Sequence, residues 1–387
     1  MFKNKNLILL WVSHLFVDFF TGIWAIYKTI AAVPIAQAGF ITGISGLVGE
    51  LLQIVFGYFS DRGHRKLILM IGLVLSSTII WMTFVENIYG LFFILLALMI
   101  GSSAFHPAAT GIASSLSHDR KGQSILFFSF GGAIGFGISQ LTFTQILHTF
   151  NCHAYILLLP VMGVFLVLFL HPFPLVASGR KPLTLQSFCA PFYKYRKELI
   201  LLYLSQVFYQ GLRSTLFFLF PDIFLLKGYH SWICMGGGHL CFVAGSFLTM
   251  VPAGYLSDRY GQKSILLITV FATIVLFYAF LMLDALPLSL TLILLICLGA
   301  FFGIINPLVI SWGNYLIPES PSTVSALLMG FAWCVGNLGP AVAGLLISCF
   351  SDNAYIHTLL LMGFLLIAVF FLILRMPGRV YSSILER

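Results

Sequence analysis

The stretch Gly57-Tyr-Phe-Ser-Asp61-Arg62-Gly63-His-Arg65-Lys66 returns later as Gly254-Tyr-Leu-Ser-Asp258-Arg259-Tyr-Gly261-Gln-Lys263. Each copy closes a long apolar run and begins a short charged turn. A phrase repeated at corresponding points of two apolar series implies two similar helical membrane bundles in tandem.

The surrounding composition fits. Soluble domains carry about 25% charged residues, whereas this 387-residue chain has 8%, with 60% hydrophobic residues and a mean hydropathy of +1.02. The apolar runs approach the roughly 20 residues that a helix needs to cross about 30 Å of hydrocarbon. Their limits predict an all-α membrane protein with twelve transmembrane helices in two six-helix, pseudo-symmetric bundles, at residues 7–30, 36–60, 66–86, 88–116, 123–148, 152–171, 198–226, 230–257, 263–284, 287–317, 321–350 and 353–375. Continuous apolar runs exclude a barrel, whose strands alternate over about ten residues.

The net charge of +8 suggests a nucleic-acid partner only until its distribution is inspected. Placing both termini in the cytoplasm puts Lys3, Lys5, Arg62, Arg65, Lys66, Arg120, Lys121, Arg180, Lys181, Lys194, Arg196, Lys197, Arg259, Lys263, Arg375, Arg379 and Arg387 on the inner side. Lys28 and Lys227 alone fall outside, and Arg213 lies within a span. This is the positive-inside pattern, and the expected localisation is a multi-pass protein of a bacterial inner (cytoplasmic) membrane with both termini cytoplasmic. The run from Leu7 to Ile30 is too long for a signal core and carries His14 and Asp18, so it reads as the first span. Cys152, Cys189, Cys234, Cys241, Cys297, Cys334 and Cys349 show neither a disulfide framework nor metal spacing.

Residues 172–197 contain Pro172, Pro174, Gly179, Pro182 and Pro191 and separate a bundle at 1–171 from another at 198–387. Offset by about 200 residues, His106-Pro107 pairs with Asn306-Pro307, and Gly132-x-x-Gly135 with Gly336-x-x-Gly339. A slightly smaller offset lays Ser13, His14 and Asp18 over Ser205, Gln206 and Gln210.

Through these features the chain resembles the major facilitator superfamily over nearly its whole length. The family pattern Gly-x-x-x-Asp-Arg-x-Gly-x-Lys is met by Gly254, Asp258, Arg259, Gly261 and Lys263, while the first copy has Gly63 one position early and His64 in the glycine position. Ser13-His14-x-x-x-Asp18, Phe105-His106-Pro107, Lys121-Gly122-Gln123-Ser124 and the glycines after Phe130 look like the fosmidomycin-resistance branch of drug exporters. The resemblance implies two halves rocking about a central site, with Asp61, Arg62, Asp258 and Arg259 as a cytoplasmic gate that ties helix ends together. The alternative for those four is a solvated turn kept for topology. Phe136 replaces the proline of the family antiporters' helix 5, and the helix 4 arginine of many members has no counterpart between Tyr89 and Leu116.

Ionisable groups inside spans are the strongest site markers, because a charge at the bilayer centre costs at least about 2.5–3.5 kcal/mol. Asp18 lies near the middle of the first span with His14 one turn away on the same face, a pair able to share a proton or simply to pack the helix. Glu50 stands roughly 16 Å of helix rise before Asp61. Arg213 follows Gln206 and Gln210 on one polar face and either neutralises Asp18 or Glu50 or binds an anionic substrate. His106-Pro107 and Asn306-Pro307 each remove a backbone donor and free a carbonyl near Ser103 or Phe302; such breaks mark a binding site or a bland kink. The expected assignments are therefore Asp18, His14 and Glu50 for proton coupling, and Arg213, His106, Asn306, Gln206 and Gln210 for substrate.

The expected function is proton-coupled export of a small drug-like or metabolic compound by alternating access, with proton-coupled import of a small anionic metabolite as the alternative. Its partners are a small molecule, protons and the bilayer, with no nucleic acid, cofactor or metal. An intramembrane metalloenzyme built on His14, Asp18 and His106 competes poorly, since nothing matches His-Glu-x-x-His. A receptor on the same scaffold predicts no loss of function when Asp18 becomes Asn. No phosphate loop Gly-x-x-x-x-Gly-Lys-Ser/Thr is present, so ATP is not expected to drive the process.

Overall fold

The computed structural model describes residues 5–116, 121–150, 154–170, 193–284, 286–317, 324–350 and 352–377; the side chains of 61, 114, 115, 121–123, 125 and 126 are not described. Most of the expected linker, 172–192, lies outside these residues. Among them the secondary structure is helical throughout, as hydrocarbon demands: without water, every backbone N–H and C=O must be satisfied within its own segment.

The first unit contains α1 (Lys5–Ile30), α2 (Ile35–Phe59), α3 (Arg65–Ser76, extended by a 3-10 stretch Ser77–Phe84), α4 (Ile88–Ser115), α5 (Lys121–Thr149) and α6 (Leu158–Leu170). The second contains α7 (Arg196–Leu226), α8 (Gly238–Tyr260), α9 (Gln262–Met282), α10 (Leu288–Phe302), α11 (Ile305–Leu316), α12 (Ala332–Gly336), α13 (Gly339–Cys349) and α14 (Ala354–Leu374). Phe220–Asp222 and Ser231–Leu240 group with the first unit. Nine described helices are long and apolar enough to cross a membrane. With the shorter Tyr155–Leu170 and the long Lys121–Thr149 and Arg196–Leu226, they stand at the twelve expected places. The seventh is less uniformly apolar because it carries Gln206, Gln210 and Arg213.

Within the first unit α1 packs along α5, and α4 against α2 and α3. Leu7, Leu10, Val17, Leu69, Leu73, Phe105, Ala108 and Phe128 form the buried core. The α1–α5 seam depends on close approach, since a Cβ on Gly135 would overlap the carbonyl of Leu15, and one on Gly132 would overlap His14 and Asp18. The second unit repeats the device: Gly339 abuts the carbonyl of Gly211, and Gly336 the side chain of Gln210. Small residues replace hydrophobic force here, because lipid is as apolar as the helices themselves.

The repeated turns also correspond. Gly63 has φ +99° and Gly261 φ +87°, a region glycine enters without steric cost. The one-residue displacement of the first glycine is absorbed by a wide turn over Ser60–His64. The motif's last residue has one task in both copies. Lys66 donates to the carbonyl of Phe169 at 2.7 Å, and Lys263 to that of Leu374 at 2.8 Å, satisfying the orphan carbonyls at the final helix of each unit. Lys227 does the same for Leu281 and Leu283, with an ion pair to Asp284 at 2.6 Å.

Gly135→Val should lower stability by about 1–3 kcal/mol through overpacking, read as a depressed thermal midpoint of the detergent-purified protein; the same change at Gly163, where a Cβ would meet nothing within 4 Å, should leave the midpoint nearly unchanged.

Candidate functional site

In the first unit, α1 supplies His14 and Asp18 and α4 supplies His106. The Asp18 carboxylate sits between the two imidazoles, Oδ2 at 3.2 Å from His14 Nε2 and Oδ1 at 3.2 Å from His106 Nε2. The two Nε2 atoms are themselves 3.2 Å apart. The remaining nitrogens are fixed by backbone: His14 Nδ1 lies 2.9 Å from the Phe128 carbonyl and His106 Nδ1 2.7 Å from that of Ser102. A carbonyl only accepts, so each Nδ1 carries the hydrogen and donates it. Both Nε2 atoms are thereby committed to Asp18 and to each other.

Facing Nε2 atoms repel if both are bare and again if both are protonated. A proton held between them, or between either and Asp18, resolves the conflict. The geometry thus places all three groups within one hydrogen-bond length of one another. His14 is held by rings, stacked on Phe128 at 4.1 Å and tilted against Phe105 at 5.9 Å. Its side chain is 7% exposed, against 22% for Asp18 and 31% for His106, so one side of the cluster remains approachable. Glu50, half-buried on α2, is near enough for its charge to act on His106. The trio offers three ligand atoms within 4.8 Å of one another.

The second unit assembles a neutral counterpart. Gln206 Nε2 donates to Asn306 Oδ1, and Gln210 Nε2 to Asn337 Oδ1 at 2.7 Å. Arg213 donates to Gln210 Oε1 at 3.4 Å, with its guanidinium 5.1 Å from the ring of Phe217 and 5.7 Å from that of Trp333. Among the described residues it forms no ion pair. Gln206 Oε1 is buried without a partner among the described residues. The break before Asn306-Pro307 separates α10 from α11, and the Phe302 carbonyl beside it accepts from Tyr209 at 3.1 Å. Pro107, by contrast, lies inside a continuous α4.

The turn residues are arranged less simply than an Asp–Arg tie. Asp61's side chain lies outside the described residues, and Arg62 stacks on Tyr58 at 4.2 Å. Asp258 accepts from Tyr315 at 3.0 Å, joining the ends of α8 and α11, while Arg259 lies over Tyr260 at 5.3 Å. Among the described residues Arg62, Asp258 and Arg259 form no ion pair.

Sequence reasoning missed Asn337, which follows the recognised Gly336, and Trp333. It also counted Lys28 only as an outer-side topology charge and left Arg213 as the one basic residue within a span. Lys28 is instead 1% exposed in the last turn of α1 and ion-paired to Asp222, which groups with the first unit; Thr29 donates to the same carboxylate at 2.9 Å. Asp222, an acid inside an apolar run just after Pro221, was the available signal.

A multi-spanning helical protein with ionisable groups held inside its spans has the makings of a membrane transport protein, and comparison with known proteins supplies the class. The Major Facilitator Superfamily model matches residues 7–340 and 202–384, and the chain belongs to that family. It is an integral membrane transporter rather than an enzyme, acting on a small molecule. The fosmidomycin resistance protein of Escherichia coli (strain K12) is 27% identical over 354 residues, covering 87% of this chain and 84% of that protein. Among solved structures, a mutant of the nucleoside transporter NupG superposes with a TM-score of 0.80 at 16% identity, covering 97% of this chain and 99% of that one. A bacterial homologue of the human lysosomal transporter Spinster superposes at 0.73 with 15% identity, covering 95% of each chain. At these identities the superpositions speak for the fold.

Asn306→Ala removes the acceptor of the buried Gln206 amide and should cost about 1–3 kcal/mol, measured as a lower unfolding midpoint. Lys28→Met strands a buried carboxylate and should cost about 3–5 kcal/mol, with Lys28→Met combined with Asp222→Leu recovering most of the loss; a double variant no more stable than the single one would contradict the pairing.

Proposed function

We propose that this protein is a proton-driven exporter of a small drug-like or metabolic compound, working by alternating access in a bacterial inner membrane with both termini cytoplasmic. The observation that carries the reading is Asp18 held between the Nε2 atoms of His14 and His106, 3.2 Å from each. A carboxylate so placed exchanges a proton with either ring over a single hydrogen-bond length, and its approachable side lets that proton be replaced by solute. Likeness to the fosmidomycin resistance protein supports the export direction. Glu50 biases the cluster through its charge on His106.

Gln206, Gln210, Asn306 and Arg213 supply the substrate contacts in the second unit, and His106 supplies one in the first. Amides offer donors and acceptors that do not titrate in the working pH range, so binding there is insensitive to the proton cycle. Asp61, Arg62, Asp258 and Arg259 act at the cytoplasmic gate. Arg213 favours a second reading, import of a small anion, because its guanidinium rests on aromatic rings and forms no ion pair among the described residues.

Reconstituted protein with an imposed proton gradient tests both. Asp18→Asn should abolish gradient-driven flux, a drop of at least about 100-fold, while substrate exchange without a gradient survives. Arg213→Ala should raise KM for an anionic substrate and leave a neutral or cationic one nearly unaffected. Undiminished gradient dependence in Asp18→Asn and in Glu50→Gln would remove the proton assignment.

A further inference from the structure

We propose that His14, Asp18 and His106 form a binding site for a borderline divalent transition-metal ion of the Zn2+ class, and that an ion held there arrests transport. Binding stands on the geometry alone; the arrest rests on the proton-coupling reading above.

Three features define the site. First, the ligand atoms converge: each Nε2 lies 3.2 Å from an Asp18 oxygen and 3.2 Å from the other Nε2. A tetrahedral ion with bonds of about 2.0–2.1 Å requires ligand-to-ligand edges of about 3.3 Å; the Nε2–Nε2 separation has that length, and each Nε2 has one Asp18 oxygen at it, Oδ2 for His14 and Oδ1 for His106, with the three ligand atoms within 4.8 Å of one another. Second, both rings are oriented as metal-bound imidazoles are. Each Nδ1–H donates to a backbone carbonyl, Phe128 for His14 and Ser102 for His106, which leaves the Nε2 lone pair for the ion and fixes the direction in which it points. Third, the partial exposure of Asp18 and His106 leaves a way in and room for a fourth ligand.

Charge agrees with this. Two neutral imidazoles and a carboxylate hold a dication with a residual single positive charge, and Glu50, within electrostatic reach of His106, offsets it. Two nitrogen ligands in three select Zn2+, Co2+ and Ni2+ over Mg2+ and Ca2+, which require oxygen. The sequence offered these three residues without a metal-ligand spacing to support them, because His106 is 92 residues from His14 and meets it through the packing of α4 on α1. An ion here occupies the same lone pairs and carboxylate that the proton cycle uses, so the two are exclusive.

Co2+ titration of untagged, full-length protein in detergent reports the site through visible absorption. The expected result is one tetrahedral Co2+ per chain, displaced by Zn2+ and not by Mg2+. His14→Gln and His106→Gln should each weaken binding by at least about 100-fold, and Zn2+ should stop flux in wild-type proteoliposomes, with recovery on chelation. Should the variants misfold, Zn2+ protection of the two histidines of the wild-type protein from diethylpyrocarbonate replaces them. Absent Co2+ binding, binding that both histidine variants retain, or histidines left unprotected by Zn2+ would overturn the site even if gradient-driven flux is intact. Stoichiometric Co2+ binding with flux that ignores the proton gradient would keep the site and remove the coupling. Coupled flux that continues with Zn2+ bound would overturn the arrest.

Discussion

Asp18 sets the terms for the first unit. A carboxylate within a membrane span is costly, and this one is retained by two imidazoles that are themselves pinned by backbone carbonyls. Those carbonyls belong to α4 and α5, so the charge is tolerated only where three helices meet closely. That closeness depends on Gly132 and Gly135, where any side chain would enter the space of His14, Asp18 or the Leu15 carbonyl. Removing the glycines would push α5 away, withdraw the Phe128 carbonyl and leave the His14 ring without its anchor.

Duplication makes the second unit an internal control. Ser13 and Ser205 each donate to the carbonyl four residues earlier at 2.7 Å, and glycine presses against the second polar position in both units. At the three corresponding places His14, Asp18 and His106 become Gln206, Gln210 and Asn306, and the link between His14 and His106 becomes the hydrogen bond from the Gln206 amide to the Asn306 carbonyl oxygen. The same backbone thus presents a titratable His–Asp–His trio in one unit and fixed amide dipoles in the other.

The fold was legible because hydrocarbon leaves a chain so few choices: apolar length reports helices, and the repeated Asp-Arg phrase reports duplication. Individual polar positions were legible where a charge was anomalous, as with Asp18, Glu50 and Arg213, or where proline interrupted a span, as with His106 and Asn306. Partnership was not. Helical spacing joined His14 to Asp18, but nothing local says that His106 closes the trio or that Asn337 meets Gln210, since both depend on packing between helices distant in sequence. The partner of Lys28 was hidden for the same reason, since Asp222 lies 194 residues on.

The two lysine pairs differ in a way that the surrounding medium will expose. Lys28 and Asp222 have side chains only 1% and 13% exposed, whereas the Asp284 partner of Lys227 is 76% exposed. Counterions reach the second pair and screen it over a Debye length of about 8–10 Å at ordinary ionic strength, but a desolvated pair is largely shielded from them. Strong brine therefore loosens the Lys227–Asp284 contact and leaves Lys28 bound to its acid.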